Sequence, residues 1–522
     1  MTASRRDALK VLLGSAALLP IHPWGTFADI EPSFVFANSA QYDSLDPHTV
    51  FDTSRAAVRF NLYDGLYRYV DNPPQLIPWL AESYSLSEDR KAYTFKLRTD
   101  AKFHDGTPVT SSDVVYSIER IIALKKGPAA QYLDVIAPGS TQAPDPHTVV
   151  FNLSHVSAIF LATVPDIVVV NSAVLKQYDN GGDWGQAWLA RNEAGSGSYA
   201  LDRYDPAVGW TARRFSSHFA GWHQTPIERL QFRSTLEANT RVLGLMRGDF
   251  QGSEGTLPYD QIQRLRQSGE MQIIDQESMR IFLLMLNCSK PPMTDVHFRR
   301  ALAYAFDYDG FIKNVMKNSV SRNPGPLPIT MWGTPPDLKG YSFDLAKARA
   351  ELAQVTTPIR KLSINAIAGA AESEQAAILF QSALHQLGIE SAVEASPWSV
   401  LVNRLADPQK RADVIPVWKS TFYVDPNNWV GEGFGTRYHG QRSLSFYSNP
   451  KFDALLEQAL EATSQAERLP LYEQMSQIVS DDAAGIFVYN SRWYGPYSKH
   501  VSGIRFSPVS GGQDMRWASM TG

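Results

Sequence analysis

A strand–helix–strand unit between residues 361 and 395 most constrains what this chain can fold into. The segment KLSINAIAG has the apolar pattern of a strand, and SEQAAILFQSALHQLG follows with apolar residues at helical spacing. Gly388 is placed to end that helix, and IESAVEA then has the pattern of a second strand. The helix supplies the crossover that parallel strands need, so the unit predicts parallel pairing and an α/β domain.

A second block, at residues 92–120, contains His104 beside Asp105, a pairing that also occurs in catalytic sites. Its residue pattern predicts a strand, a turn and a helix. Apolar and polar residues alternate in AYTFKLR, Asp105 begins a turn dipeptide with glycine, and Thr110 with Asp113 has the spacing of a helix N-terminus. His104 and Asp105 are therefore interpreted as scaffold rather than as catalytic residues.

The N-terminus has the pattern of an export signal. Arg5, Arg6 and Lys10 precede an apolar run at residues 11–19, which is shorter than the roughly 20 residues of a membrane span. The adjacent arginines are typical of a twin-arginine signal. Small residues at 26 and 28 predict cleavage near residue 28, with residues 1–28 as the signal peptide and the mature chain starting near Asp29.

Charge argues against one class of partner. The net charge of the full chain is −4, and loss of residues 1–28 removes three positive charges and one negative charge, which gives −6. An acidic chain lacks the basic footprint of a nucleic-acid binder, so no nucleic-acid partner is expected.

The sequence contains no nucleophile elbow, no zinc-protease motif and no glycine-rich phosphate loop with its accompanying residues. Cys288 is the only cysteine and lies in an apolar run, which predicts a small buried side chain. We therefore predict no catalytic residue, no metal site and no cofactor.

Aromatic residues beside polar ones suggest a binding pocket instead. Trp398, Trp418 and Tyr423 fall in segments of loop-like composition, SPWSV and VWKSTFYVDPNNWV. Such rings can form the walls of a pocket while polar neighbours orient a ligand, although a single ring of this kind is more often a packing residue.

Several blocks, in order, resemble one protein family. They are DGLYRYV, the long block at residues 76–120, GSGSYALDRYDP, PPMTDVHFRRALAYAFDYDGF, FDLAKARAELAQV, and the Trp418 to Pro426 segment. The chain is similar in these blocks to the extracytoplasmic solute-binding proteins, family 5, of bacterial ABC transporters, the peptide and nickel class.

The resemblance implies an α/β fold built as a two-lobed periplasmic-binding-protein clamp, type II-like, with an additional inserted domain. The implied division gives residues 29–66, 196–277 and 489–522 to lobe one. Residues 67–195 form the inserted domain, and residues 278–488 form lobe two. Two crossing segments near ESMRIFLL and IFVYNSRW are expected to form the hinge.

The resemblance also implies candidate ligand-binding residues between the lobes. The set is Asn38, Ser39, Trp398, Trp418, Thr421, Tyr423 and Asp425. In peptide-binding members of the family, an aspartate shortly after the tryptophan pairs with the peptide's α-ammonium group. Here Ser420 and Thr421 occupy that place, and Asp425 belongs to the DP pair that follows.

Two outcomes are open at this position. Either Asp425 replaces the missing acid, or the ligand has no free α-amino group at that spot; the second is favoured. A lost charge-assisted partner would cost about 1.5–3 kcal/mol.

The resemblance implies a monomeric periplasmic protein that captures a small solute, by default a peptide, and delivers it to ABC permease subunits in the inner membrane. The alternatives are the same role for an opine, a nickel chelate or an oligosaccharide, and, in another class, an exported hydrolase. Fold alone does not choose among these solutes.

Overall fold

The computed structural model describes residues 34–521 apart from 50, 54, 224 and 256, and leaves the side chain of Ser399 undescribed. The predicted signal segment, residues 1–28, lies outside the described residues.

One large mixed sheet runs through the molecule. Its ten main strands, in spatial order, are Ser391–Ser396, Leu362–Ile367, Val414–Lys419, Met271–Leu286, Gly485–Ser498, Gly252–Ser253, Phe34–Asn38, Arg229–Ser234, Gly209–Arg214 and Tyr199–Asp205. An eleventh strand, Ser321–Arg322, pairs beside Gly485–Ser498.

Two long antiparallel strands, Met271–Leu286 and Gly485–Ser498, occupy the middle of this sheet, and we call them the central strands. Their pairing is regular from Met271 to Glu277 and resumes at Ile281, with an irregularity between these two residues. Because the sheet continues outward on both sides of the pair, the central strands connect its two halves.

The smaller sheets lie apart from this one. A four-stranded sheet has the order Ala81–Leu86, Ala92–Leu97, Thr148–Leu153 and Ile136–Asp145, and all its residues fall within 67–195. Two further pairs are Tyr67–Val70 with Gln75–Pro78 and Val501–Ser502 with Ser519–Met520. The predicted domain boundaries remain predictions.

The helices cover these sheets. The α-helices span Ala56–Leu62, Ser111–Leu124, Phe160–Thr163, Ser172–Gln177, Gln186–Leu189, Ala238–Arg247, Tyr259–Ser268, Val296–Ala305, Tyr308–Gly310, Leu345–Leu352, Ala371–Gln386, Trp398–Leu405, Gly431–Phe434, Pro450–Glu461 and Gln465–Asp481. Short 3₁₀ turns span Gly127–Gln131, Val164–Asp166, Pro426–Asn428, Thr436–Tyr438 and Met515–Trp517, and a π turn spans Phe311–Val315. Within residues 34–521, no helix combines the length and apolar character needed to cross a bilayer.

The strand–helix–strand prediction is confirmed. Strands Leu362–Ile367 and Ser391–Ser396 pair in parallel and are joined by the helix Ala371–Gln386. Gly388 follows with φ of 76°, a left-handed conformation that glycine adopts without steric cost. Ser373 fixes the start of the helix, since its hydroxyl donates to the carbonyl of Pro416 at 2.7 Å.

The strand–turn–helix prediction for residues 92–120 is also confirmed. The helix Ser111–Leu124 begins with a capping box between Thr110 and Asp113. The imidazole of His104 is held between Glu193 Oε1 at 2.7 Å and the carbonyl of Gly197 at 2.8 Å. Burial acts to lower the pKa of His104, but the Glu193 carboxylate outweighs it and raises that pKa. The ring therefore ties the turn to a neighbouring loop.

Candidate ligand-binding site

Three side chains from three separate strands meet where the central strands join the strand Val414–Lys419, and a fourth lies near them at the start of the helix Ala371–Gln386. They are Arg280, Glu372, Trp418 and Tyr489, and we call them the central cluster. The guanidinium of Arg280 lies 4.8 Å from the ring centroid of Trp418, and the indole N–H of Trp418 donates to the Tyr489 hydroxyl at 3.2 Å. The antiparallel pairing places Phe282 opposite both Trp418 and Tyr489, which fixes these two rings on one face.

The charges of the central cluster are desolvated. Burial lowers the pKa of Arg280, and nearby Tyr489 and Glu372 only partly oppose this. Burial raises the pKa of Glu372 as well, partly opposed by its own backbone N–H and by Arg280. Both side chains therefore carry the cost of charge in a medium of low polarity.

Thr421 and Tyr423 are buried and committed to neighbours. The Thr421 hydroxyl donates to the carbonyl of Met279 at 3.0 Å. The Tyr423 hydroxyl donates to Glu432 Oε1 at 2.9 Å and accepts from the amide of Asn427 at 2.9 Å. These contacts fix the loop after Trp418 to a central strand.

Asp425 forms a buried bidentate ion pair. The Arg468 guanidinium donates to its two oxygens at 2.6 and 2.8 Å. The same carboxylate accepts from the backbone N–H of Asn427 at 2.9 Å, which caps the turn Pro426–Asn428. Both oxygens of Asp425 are therefore occupied by the protein itself.

Asn38 and Ser39 lie at the end of the strand Phe34–Asn38, in the other half of the large sheet. The Asn38 amide donates to the Tyr42 hydroxyl at 2.8 Å, and the Ser39 backbone N–H donates to Glu254 Oε1 at 2.6 Å. Glu254 also lies 3.9 Å from Arg241, so its carboxylate is held between Ser39 and that guanidinium.

Trp398 is placed apart from the other candidates. It begins the helix Trp398–Leu405, and 45% of its surface is exposed. Val400 and Val402 on the same helix are also exposed, and the described contacts give Trp398 no ring partner.

Lys419 forms no ion pair with another residue in the described part of the chain. It follows Trp418 and points towards Gly433, near Arg442 and Glu432. Burial, with a smaller contribution from the Arg442 charge, lowers the pKa of Lys419 to about 8. Arg442 and Glu432 form an ion pair at 2.7 Å, and Lys419 is not part of it.

The described part of the chain holds no cluster of three or more histidine, cysteine or carboxylate side chains suited to a metal ion. The thiol of Cys288 is buried, as predicted, and burial raises its pKa.

Sequence patterns did not identify Arg280, Glu372, Tyr489 or Glu254. Arg280 left one signal in the sequence, because a charged residue stands in the apolar run MRIFLLML, directly before the buried stretch from Ile281 to Leu284. Glu372 left none, since a glutamate in the first turn of a helix is ordinary.

Comparison with family models decides the family. Residues 75–439 match the model described as bacterial extracellular solute-binding proteins, family 5 middle. The chain belongs to this family.

A bacterial relative is similar to this chain over nearly its whole length. The probable D,D-dipeptide-binding periplasmic protein of Escherichia coli (strain K12) is 31% identical over 482 residues, which cover 91% of this family 5 protein and 92% of the relative.

Solved structures share the fold. A periplasmic binding protein of Helicobacter pylori, associated with an ABC transporter and in complex with the peptide STSA, matches with a TM-score of 0.83 at 22% identity, covering 93% of this chain and 98% of the other. A binding protein of A. tumefaciens R10 in complex with agropinic acid matches with a TM-score of 0.82 at 22% identity, covering 94% and 99%. The α/β two-lobed clamp expected from the resemblance is confirmed.

Proposed function

We propose that this protein is the periplasmic solute-binding component of an ABC importer and that its solute is a short peptide, of dipeptide size. The observation that carries the proposal is the 31% identity to a probable D,D-dipeptide-binding protein across 91% of this chain and 92% of that one. The complex of a similar fold with the peptide STSA supports it.

The architecture supports capture between two halves. The central strands connect the halves of the large sheet. The central cluster lies in the half that contains the strand Val414–Lys419, and Ser39 with Glu254 lies in the other half, at the end of the strand Phe34–Asn38. Closure of such a clamp desolvates a small solute between aromatic and hydrogen-bonding groups. We assign lobe one to residues 29–66, 196–277 and 489–522, the inserted domain to 67–195, and lobe two to 278–488.

The proposed role is binding without turnover, because the family is one of solute-binding proteins. The protein would act as a monomer and pass its solute to permease subunits in the inner membrane. Its location in the periplasm, after removal of residues 1–28 as a twin-arginine signal, is part of the same proposal.

A non-peptide solute is the second candidate. The structure in complex with agropinic acid shares the fold to nearly the same degree as the peptide complex, so the fold does not separate the two classes.

Mass spectrometry of protein purified from its native periplasm tests the proposal. We expect a short peptide to be released on denaturation, and calorimetry to show that the same peptide binds again. Release of an opine, a metal chelate or an oligosaccharide would overturn the peptide assignment. Steady release of cleaved products from added peptides would overturn binding without turnover.

A further inference from the structure

We infer that Arg280 and Glu372 bind the two charged ends of a zwitterionic solute, the guanidinium binding its carboxylate and the glutamate binding its ammonium group. The inference rests on the proposed function, since it assigns the contacts that a free peptide would make in the same site.

Arg280 is a cation whose charge the described residues do not neutralise. Its Nε is buried and has no hydrogen-bond partner within residues 34–521, and no carboxylate there lies within 4.0 Å of its nitrogens. The indole of Trp418 covers one face of the guanidinium. A buried guanidinium without an anionic partner is energetically unfavourable. Its several N–H donors lie in one plane and suit the two oxygens of a carboxylate.

Glu372 is the matching anion. It is the second residue of the helix Ala371–Gln386, and the next residue, Ser373, is bonded to the strand that carries Trp418. The backbone N–H of Ile367 also donates to the Ser373 hydroxyl at 3.0 Å, so the position of Glu372 is fixed from two sides. No ion pair joins Glu372 to a cation among the described residues.

The two charges influence each other but do not meet. Each shifts the pKa of the other, and Tyr489 is affected by both, yet no hydrogen bond links the guanidinium to the carboxylate. Other buried pairs in the same half are closed: Arg468 with Asp425 at 2.6 Å and Arg442 with Glu432 at 2.7 Å. Two opposite charges that do not pair with each other, and that lie beside two aromatic rings, suit a solute that carries both an anionic and a cationic group.

This assignment also locates an acid for the ammonium group. The charge of Asp425 is already balanced by Arg468, and Thr421 has no carboxylate. Glu372, on the helix Ala371–Gln386, supplies a carboxylate that is not paired with a cation of the described chain. Each charge-assisted contact is of the size that changes affinity by about 10- to 150-fold.

Calorimetry with blocked peptides tests the inference. The probes are Ala-Ala and D-Ala-D-Ala, each in free, N-acetylated and C-amidated form. With the wild-type protein, either block is expected to weaken binding about 10- to 150-fold. In Glu372→Gln the free peptide should already be weakened to that degree, and N-acetylation should then cost less than about threefold, while amidation keeps its full effect.

Arg280→Gln should show the reverse pattern, insensitive to amidation and sensitive to acetylation. Arg280→Lys keeps a cation and should retain part of the sensitivity to amidation, which separates loss of charge from loss of fold. Glu394→Gln and Arg264→Gln, two exposed positions, serve as matched controls and should behave as wild type.

The inference would be overturned if N-acetylation of the peptide weakened binding as much in Glu372→Gln as in wild type. If neither dipeptide binds the wild-type protein, the peptide function fails, and the same variants are titrated with the solute recovered by mass spectrometry. A recovered solute that lacks either an amine or a carboxylate would overturn the charge-pair assignment on its own.

Discussion

Asp425 and Arg468 form a closed ion pair in which both carboxylate oxygens accept from the guanidinium, at 2.6 and 2.8 Å, with both residues buried. Burial acts to lower the pKa of Arg468, but the charge and hydrogen bonds of Asp425, together with Tyr472, outweigh it and raise that pKa. Asp425 therefore stabilises the loop after Trp418 and holds the turn that follows.

Asp425→Asn should lower the free energy of unfolding by about 3–5 kcal/mol, because it leaves the buried Arg468 charge uncompensated. Urea unfolding measures the change. The exposed pair Arg214–Glu228 provides the control, since Glu228→Gln should cost less than about 1 kcal/mol. The affinity of folded Asp425→Asn for its solute should match wild type, and a specific loss of affinity with unchanged stability would show that Asp425 binds the ligand.

His48 should make the fold sensitive to acid. Its Nε2 lies 2.8 Å from the carbonyl of Val168, and its Nδ1 lies 3.0 Å from Nη1 of Arg120, which also binds Asp46. Nδ1 must therefore accept from the guanidinium, and the ring must be neutral. Burial, together with the Arg120 charge, lowers the pKa of His48 to about 4.

The direction of the pH dependence follows from that lowered pKa. In the unfolded chain His48 binds a proton below a pH of about 6.5, whereas in the folded chain it does so only below about 4. The contribution of neutral His48 to the free energy of unfolding is therefore fully present above pH 6.5 and is lost as the pH falls from 6.5 to 4. Urea unfolding from pH 7.5 to 4 should show about 3 kcal/mol more loss for wild type than for His48→Gln. Parallel pH profiles would contradict the assignment.

Ligand binding should change the fluorescence of Trp418, because its ring contacts Arg280 and Tyr489 in the central cluster. Titration of wild type with a bound solute should shift tryptophan emission, and Trp418→Phe should remove most of that shift. Trp188, stacked on Tyr178 at 4.5 Å in the proposed inserted domain, is the control, and Trp188→Phe should keep the shift. The solute should be recovered intact after prolonged incubation.

Replacement of Arg5 and Arg6 by lysine should stop export, because a twin-arginine signal depends on both arginines. Immunoblots of periplasmic and cytoplasmic fractions measure the distribution. N-terminal sequencing of exported wild type should begin near Asp29. Continued export of the lysine variant would point to the general secretory route instead.

Local sequence patterns were sufficient to predict two of the units built from helices and strands. Periodicity predicted the parallel unit at residues 361–395, and Thr110 with Asp113 predicted the start of the helix Ser111–Leu124, which begins with a capping box between these two residues. These features depend on neighbours within a few residues, which the sequence displays directly.

The site depends on contacts that no local pattern contains. Arg280, Glu372, Trp418 and Tyr489 come from four segments separated by tens of residues. Strand pairing brings three of them together, and the bond from Ser373 to Pro416 holds the helix that carries Glu372 beside them. Likewise, the partner of Asp425 lies 43 residues further along the chain. Trp398, chosen for its composition, is exposed at a helix start, and its role as a ligand-binding residue stays a prediction.

The interruption in the pairing of the central strands, between Glu277 and Ile281, contains Arg280. A side chain close to the axis about which two bodies turn moves little as they turn. In the proposed clamp, Arg280 would therefore hold nearly the same position in the open and the closed form. Substitutions at Arg280 should consequently act on the rate at which the open form captures the solute.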